Sequence, residues 1–290
     1  MRFSRSRIGA VAILALFIVI LALFVGTSPG CTLANKVRAK NELNEAARVY
    51  REGHFDVAEQ HARRALYLTP DNKTAAIFLA RIIHQQYKPG VEAPDNIAKA
   101  REAIEAYRHV LEMDPGNEEA YKAISVLYAA IKDDAKLREW ILARANDSNL
   151  PSEKRAEAYA ILAGKDWDCS FKITELPDVK ITSNEGGKPT VKYQKPKDQK
   201  DFDAAQRCVA RGLEEAETAI KYDPNSESAW SYKTNLLLEA AKLAEMNGDA
   251  DHKTQYQKQA ETAGKRATAL AEERRKKEEA ADKAASTPTP

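Results

Sequence analysis

Apolar positions fall into three regimes along the chain. Residues 8 to 26 form an uncharged run of Ile, Leu, Val, Phe and Ala, interrupted only by Gly9 and Gly26. From about residue 40 the pattern turns periodic. Ala58, Ala62, Ala65 and Leu66 share one helical face, as do Ala100, Ala103, Ile104, Tyr107, Val110 and Leu111. Ile77, Ala80, Ile83 and Tyr87 repeat the spacing, and so do Tyr121, Ile124, Leu127, Tyr128 and Ile131. Offsets of three and four predict amphipathic α-helices. The third regime is residues 164–200. There Phe171-Lys172-Ile173-Thr174 and Val179-Lys180-Ile181-Thr182 alternate, and Glu185-Gly186-Gly187 precedes Thr190-Val191-Lys192-Tyr193. That pattern predicts a β-hairpin or extended flap.

The periodic stretches share an ending. Leu68-Thr69-Pro70-Asp71-Asn72, Met113-Asp114-Pro115-Gly116-Asn117 and Tyr222-Asp223-Pro224-Asn225-Ser226 each bring an apolar helix end onto Pro, and a looser version closes at Asn149-Leu150-Pro151. Pro stops one helix and sets the turn into the next. Ser152 is placed to cap the helix that follows, which is expected over residues 151–163 with Ala156, Tyr159, Ala160 and Ala163 inward.

These residues resemble the tetratricopeptide repeat (TPR) family, whose unit of about 34 residues is a helix pair. Residues 39–72 carry its small residues as Ala46, Ala58 and Ala65, its closing Pro as Pro70, and its inter-helix turn as Gly53-His54-Phe55-Asp56. Residues 73–117 carry Ala80, Ala103, Val110 and Pro115, with a longer turn through Tyr87–Pro94. The likeness extends, more loosely, to about residue 271, with Ala229-Trp230 opening a fifth unit. It implies an all-α, helix-pair solenoid with one hairpin insertion, following a single N-terminal hydrophobic membrane segment. The expected layout is a basic N-terminus (1–7), a transmembrane helix or signal-anchor (8–26) and a linker (27–38). Repeats one to three follow (39–150), then an interrupted fourth (151–226) with its insertion at 164–200. A fifth repeat with a capping helix (227–271) and a charged, disordered tail (272–290) complete the chain.

The resemblance also implies a groove lined by the first helix of each pair, binding protein partners. Arg81 and His84, then Lys122, Val126 and Ala129, then Asn235 and Leu238 take the groove positions. Some members grip a carboxylate with a Lys/Asn/Arg clamp. Leu43 and Ala47 stand at the matching places here, so no such clamp is evident.

At about 1.5 Å per residue the apolar run reaches roughly 28 Å, close to the hydrocarbon thickness of a bilayer. Length favours a retained anchor over the shorter apolar core of a cleaved signal. Cys31 follows Gly30 in a partial likeness to a lipoprotein cleavage site, so lipidation at Cys31 and simple cleavage stay open beside the retained helix. Arg2, Arg5 and Arg7 flank one side of the run and Lys36, Arg38 and Lys40 the other, which leaves the positive-inside rule balanced. The extreme N-terminal position of the arginines favours an exported domain, periplasmic or on the outer face; a helix-anchored domain facing the cytoplasm is the alternative.

Cys169 and Cys208 bracket most of the insertion. In an exported domain they are expected to form a disulfide worth about 4 kcal/mol at best; in a reducing compartment they would be free thiols. The insertion itself holds eight Lys against six acids, which reads either as a solvated loop or as an arm for an acidic partner or a membrane surface. Overall, 45 basic residues offset 43 acidic ones, giving a net charge of +2, which argues against nucleic-acid binding. Five scattered His and three Cys lack metal-ligand spacing, and no phosphate-binding Gly-rich loop is present. No cofactor and no catalytic residue is expected. The function this suggests is a membrane-tethered scaffold for protein–protein interaction in the cell envelope, or a structural subunit of a permanent envelope assembly.

Overall fold

The computed structural model describes residues 29–185 and 188–286. The apolar run at 8–26, and the readings that rest on it, lie outside these residues. Among the described residues no helix is long and apolar enough to cross a membrane. The chain divides into two compact units, residues 1–134 and 135–290.

The first unit holds helices α1 (Pro29–Arg51), α2 (Phe55–Leu68), α3 (Lys73–Gln86), α4 (Pro94–Met113) and α5 (Glu118–Ala130). Consecutive helices pack against one another. The crossings are built on alanine: Ala39, Ala65 and Ala75 form one cluster, and Ala46, Ala58, Ala62 and Ala80 are fully buried. Helix α1 begins at Pro29, so the stretch expected as a linker up to residue 38 is helical from that point. Pro at the first helical position costs no hydrogen bond, because its missing N–H would have had no intrahelical partner.

The turns between repeats obey one rule. Thr69, Asp114 and Asp223 precede Pro and take ψ values of 80°, 79° and 96°, outside the helical region, as steric conflict with the following Pro demands. Each keeps one last helical bond, its N–H donating to Ala65, Val110 or Ala219. Two residues after the Pro, a side chain caps the next helix. Asn72 Oδ1 accepts from the Ala75 N–H at 3.1 Å, Asn117 Oδ1 from Ala120 at 2.9 Å, and Ser226 Oγ from Ala229 at 3.3 Å. Such caps contribute about 1 kcal/mol each. The α1–α2 turn needs Gly53, whose φ of +83° suits a residue without a side chain. The longer α3–α4 turn is clipped by Asn96, whose amide bonds the main chain of Lys88 and Val91 at 2.7–2.8 Å.

The second unit holds α6 (Asp134–Asn146), α7 (Ser152–Thr174), strands β1 (Lys180–Glu185) and β2 (Lys188–Tyr193), α8 (Gln199–Tyr222), α9 (Glu227–Met246) and α10 (Ala250–Ser286). The predicted hairpin is present over 180–193, antiparallel, with Lys180 opposite Tyr193 and Ser183 opposite Thr190. Three expectations are corrected. Pro151, not Ser152, is the N-cap of α7, without a side-chain cap bond. Phe171–Thr174, read as alternating, continue α7. Their fate is set by tertiary contacts: Ser170 and Thr174 bury their hydroxyls and donate to Glu239 Oε2 of α9 at 2.9 and 2.8 Å. The tail expected to be disordered from residue 272 is helical to Ser286, because Ala, Glu, Lys and Arg are all strong helix formers. Arg274 ties it to Glu227 at 2.9 Å and to Glu278 one turn on at 3.0 Å.

Cys169 and Cys208 form a disulfide joining α7 to α8, with Cα atoms 6.2 Å apart. Both helices flank the hairpin, so the bond closes the base of the insertion.

Candidate functional site

Small residues at the crossings, a Pro after each second helix and a cap two residues on recur from pair to pair. This recurring helix pair is the arrangement that the likeness to the tetratricopeptide repeat family implies. No family model and no curated protein matches the chain. Among solved structures it is similar to MamA (residues 41 to the end) from Desulfovibrio magneticus RS-1, at 13% identity over 76% of this chain and 94% of that one, with a TM-score of 0.36. It is similar to PilF of Pseudomonas aeruginosa at 14% identity, covering 77% and 90%, with a TM-score of 0.34. YrrB, a TPR protein with an unusual peptide-binding site, matches at 11% identity, covering 75% and 90%, again at 0.34.

In the first unit the expected groove residues sit on α3 and α5. Lys122, Val126 and Ala129 form an exposed stripe at i, i+4 and i+7 on α5. Arg81 is not a free cation: its guanidinium is ion-paired to both carboxylate oxygens of Glu119. His84 stands edge-on to Tyr107, ring centroids 5.8 Å apart, with Nδ1 3.3 Å from the phenol oxygen. Burial pushes the His84 pKa below its ordinary value, which favours the neutral imidazole. His84 and Val126, with Tyr87, Pro89 and Leu127, line one cavity of about 200 Å³. Two of the residues expected along the groove thus share one cavity, and Arg81 is engaged by an ion pair that the sequence reading did not foresee.

In the second unit Asn235 and Leu238 lie on the face of α9 that also carries Tyr232 and Lys242, by the three- and four-residue rule. Here the structure adds residues the sequence reading missed. Trp167 and Phe171 on α7 pack at 5.2 Å, and Trp167 reaches Tyr232 at 6.3 Å. The Lys242 ammonium lies 5.2 Å from the Phe171 ring centroid and 4.9 Å from that of Tyr193 on β2. It is paired with Glu239 at 2.7 Å and Glu175 at 3.0 Å. Burial alone would lower the Lys242 pKa, but these carboxylates outweigh it and hold the group charged. The hairpin is further tied by Tyr193 N–H, which donates to Glu245 Oε1 at 3.3 Å. The result is an aromatic face on α7 and α9, walled by the hairpin, with Leu238, Phe171 and Val191 exposed. The signal for it was the i, i+4 pair Trp167 and Phe171, hidden because the helix was expected to end at residue 163.

Beneath this face, Asp166 is 2% exposed and receives Arg211 Nε at 2.7 Å and Arg138 Nη1 at 3.2 Å. Arg138 also pairs with Glu215. Burial first, and the facing Asp166 second, push the Glu215 pKa up to about 8 against the pull of Arg138. This cluster joins α6, α7 and α8.

The opposite face of α9 carries a groove between α8 and α10. It opens as two cavities of about 320 and 530 Å³ that share Leu213 and Tyr256. Among the described residues no group of His, Cys, Asp and Glu is arranged to hold a metal ion.

Proposed function

We propose that this chain is a non-catalytic scaffold that binds partner proteins through its first-helix faces, tethered to a membrane on the extracytoplasmic side. The observation that carries the binding claim is the α7–α9 face. Phe171, Leu238 and Val191 remain exposed on the elements that carry the packed rings of Trp167, Phe171 and Tyr232 and the hairpin docked on them. Apolar side chains held beside an aromatic cluster are what a partner's side chains bury. The disulfide supports an oxidising compartment. The apolar run at 8–26, or lipid on Cys31, supplies the tether in this reading. Nothing in the composition favours nucleic acid as a partner.

Mass analysis of thiol-tagged full-length protein from its native membrane tests location and tether together. An oxidised Cys169–Cys208 pair with either an intact apolar N-terminus or an acylated Cys31 is the expected result. Free Cys169 and Cys208 would move the domain to a reducing compartment, and a chain starting after residue 26 without lipid would remove the tether.

A second reading, a structural subunit of a permanent envelope assembly, is favoured by the α8–α10 groove on the other side of α9. Its apolar lining of Val209, Leu213, Leu237 and Tyr256 suits a permanent neighbour. A chain that is soluble and monodisperse when purified alone, and that exchanges its partner freely, would count against this reading.

A further inference from the structure

The hairpin has two outer edges, and they differ. The Gln194 N–H donates to Val179 O at 3.0 Å, so Val179 and Gln194 are a hydrogen-bonded pair and the next pair, Lys180 and Tyr193, is not. Alternation then fixes the rest of the ladder. The main-chain groups of Lys180, Thr182 and Asn184 on β1, and of Tyr193, Val191 and Pro189 on β2, point away from the partner strand.

The β2 edge is blocked on either side of Val191. Its Tyr193 N–H is taken by Glu245, and Pro189 has no N–H to offer. Pro in an outward-facing position and cover from a neighbouring helix are two ordinary ways of blocking strand addition. The β1 edge carries neither device. Lys180 N–H turns back to Leu176 O at 2.9 Å, but beyond it, among the described residues, the outward main chain of Thr182 and Asn184 meets no partner. No charged side chain stands between Lys180 and Glu185. A two-stranded sheet is also marginal by itself and gains from a third strand.

We infer that the open edge of β1 is a docking site for an extended segment of a partner protein, which adds to the hairpin as a third strand through the main chain of Thr182 and Asn184. The occupant is set by chemistry: a row of alternating main-chain donors and acceptors is matched by another extended backbone, with side chains choosing the sequence. Thr182 shares its sheet face with Val191 and Tyr193, so alternate side chains of the added strand would come down beside Thr182 on that same face. This rests on the reading of the chain as a partner-binding scaffold and names how one part of the partner is held.

The test uses the full chain and a displayed library of random twelve-residue peptides. Selected binders are measured against wild type, Thr182→Pro, Asn184→Pro and, as a control on the blocked edge, Val191→Pro. Hydrogen exchange of wild type is followed with and without a binder. The expected result is protection of the Thr182 and Asn184 amides on binding, and affinity that falls roughly tenfold or more in Thr182→Pro and Asn184→Pro but not in Val191→Pro. Because exchange is read on wild type, a misfolded variant does not decide the outcome. Binders that leave both amides unprotected overturn the inference, as does a library that yields none. Concentration-dependent protection without any peptide overturns it in favour of a second copy of this chain. Binders lost on Leu238→Glu yet indifferent to the β1 edge would sink the inference and leave the scaffold reading standing.

Discussion

Lys242 on α9 holds Tyr193 on β2 by a cation–ring contact of 4.9 Å, and the same ammonium neutralises the buried Glu239. One cation therefore both docks the hairpin and satisfies the network that keeps residues 171–174 helical. Lys242→Met is expected to destabilise the second unit by about 3 kcal/mol or more, since a buried carboxylate is left without its counter-charge. Tyr193→Ala removes only the ring contact, worth about 1–2 kcal/mol. It should free the hairpin for proteolysis while the melting temperature of the helices barely moves. Limited digestion and thermal melts of the two variants separate these effects.

Gly212 lies where α8 approaches Leu236 and Asp166 closely. A Cβ there would meet Leu236 Cδ2 at 2.7 Å and Asp166 Cβ at 3.0 Å, and Leu236 is fully buried. Gly212→Ala gains up to about 1 kcal/mol of helix propensity but is expected to lose about 1–3 kcal/mol to overpacking. Net destabilisation in a denaturant titration is the expected outcome.

Reduction of Cys169–Cys208 releases a loop of 39 residues. The Cys169→Ser, Cys208→Ser pair of changes should cost about 2–4 kcal/mol. The same loss should appear when wild type is melted with a reductant, while the double variant should be indifferent to it.

Glu215 gives the second unit a pH dependence of definite sign. Its pKa is raised from 4.5 to about 8 by burial, then by Asp166, while Arg138 pulls the other way. Between those values the folded chain holds a proton that the unfolded chain releases. The contribution is therefore fully present below pH 4.5 and is lost as pH rises to about 8. Glu215→Gln should flatten stability across that interval and raise it most at pH 8, read from denaturant midpoints at constant ionic strength.

How far this was legible in the sequence depended on whether the signal was local. The repeats were readable because Pro70, Pro115 and Pro224, with Asn72, Asn117 and Ser226 after them, act through turn sterics and capping within a few residues. Ala46, Ala58 and Ala65 marked helix crossings for the same reason: small residues at helical spacing mean close approach. The alternating pattern of Val179–Thr182 and Thr190–Tyr193 points to a hairpin or an extended flap, and the hairpin forms over Lys180–Glu185 and Lys188–Tyr193. Phe171–Thr174 alternate as well, yet are helical, because Ser170 and Thr174 answer to Glu239 some 65 residues away. No local pattern carries that. The α7–α9 face was missed with it, since Trp167 and Phe171 lay in a stretch expected to have left the helix. The pairing of Arg81 with Glu119 joins separate repeats and leaves no mark on spacing.

The central claim is that the α7–α9 face binds protein. Site-specific photo-crosslinking from position 238 in the full-length chain, in its native cells, tests it most directly, with position 67 on α2 as a control because Tyr67 is 86% exposed. A discrete set of protein adducts from position 238, absent from position 67 and lost when Trp167 is replaced by Ala, is the expected result. Adducts from position 238 no more abundant or specific than those from position 67 would contradict the account.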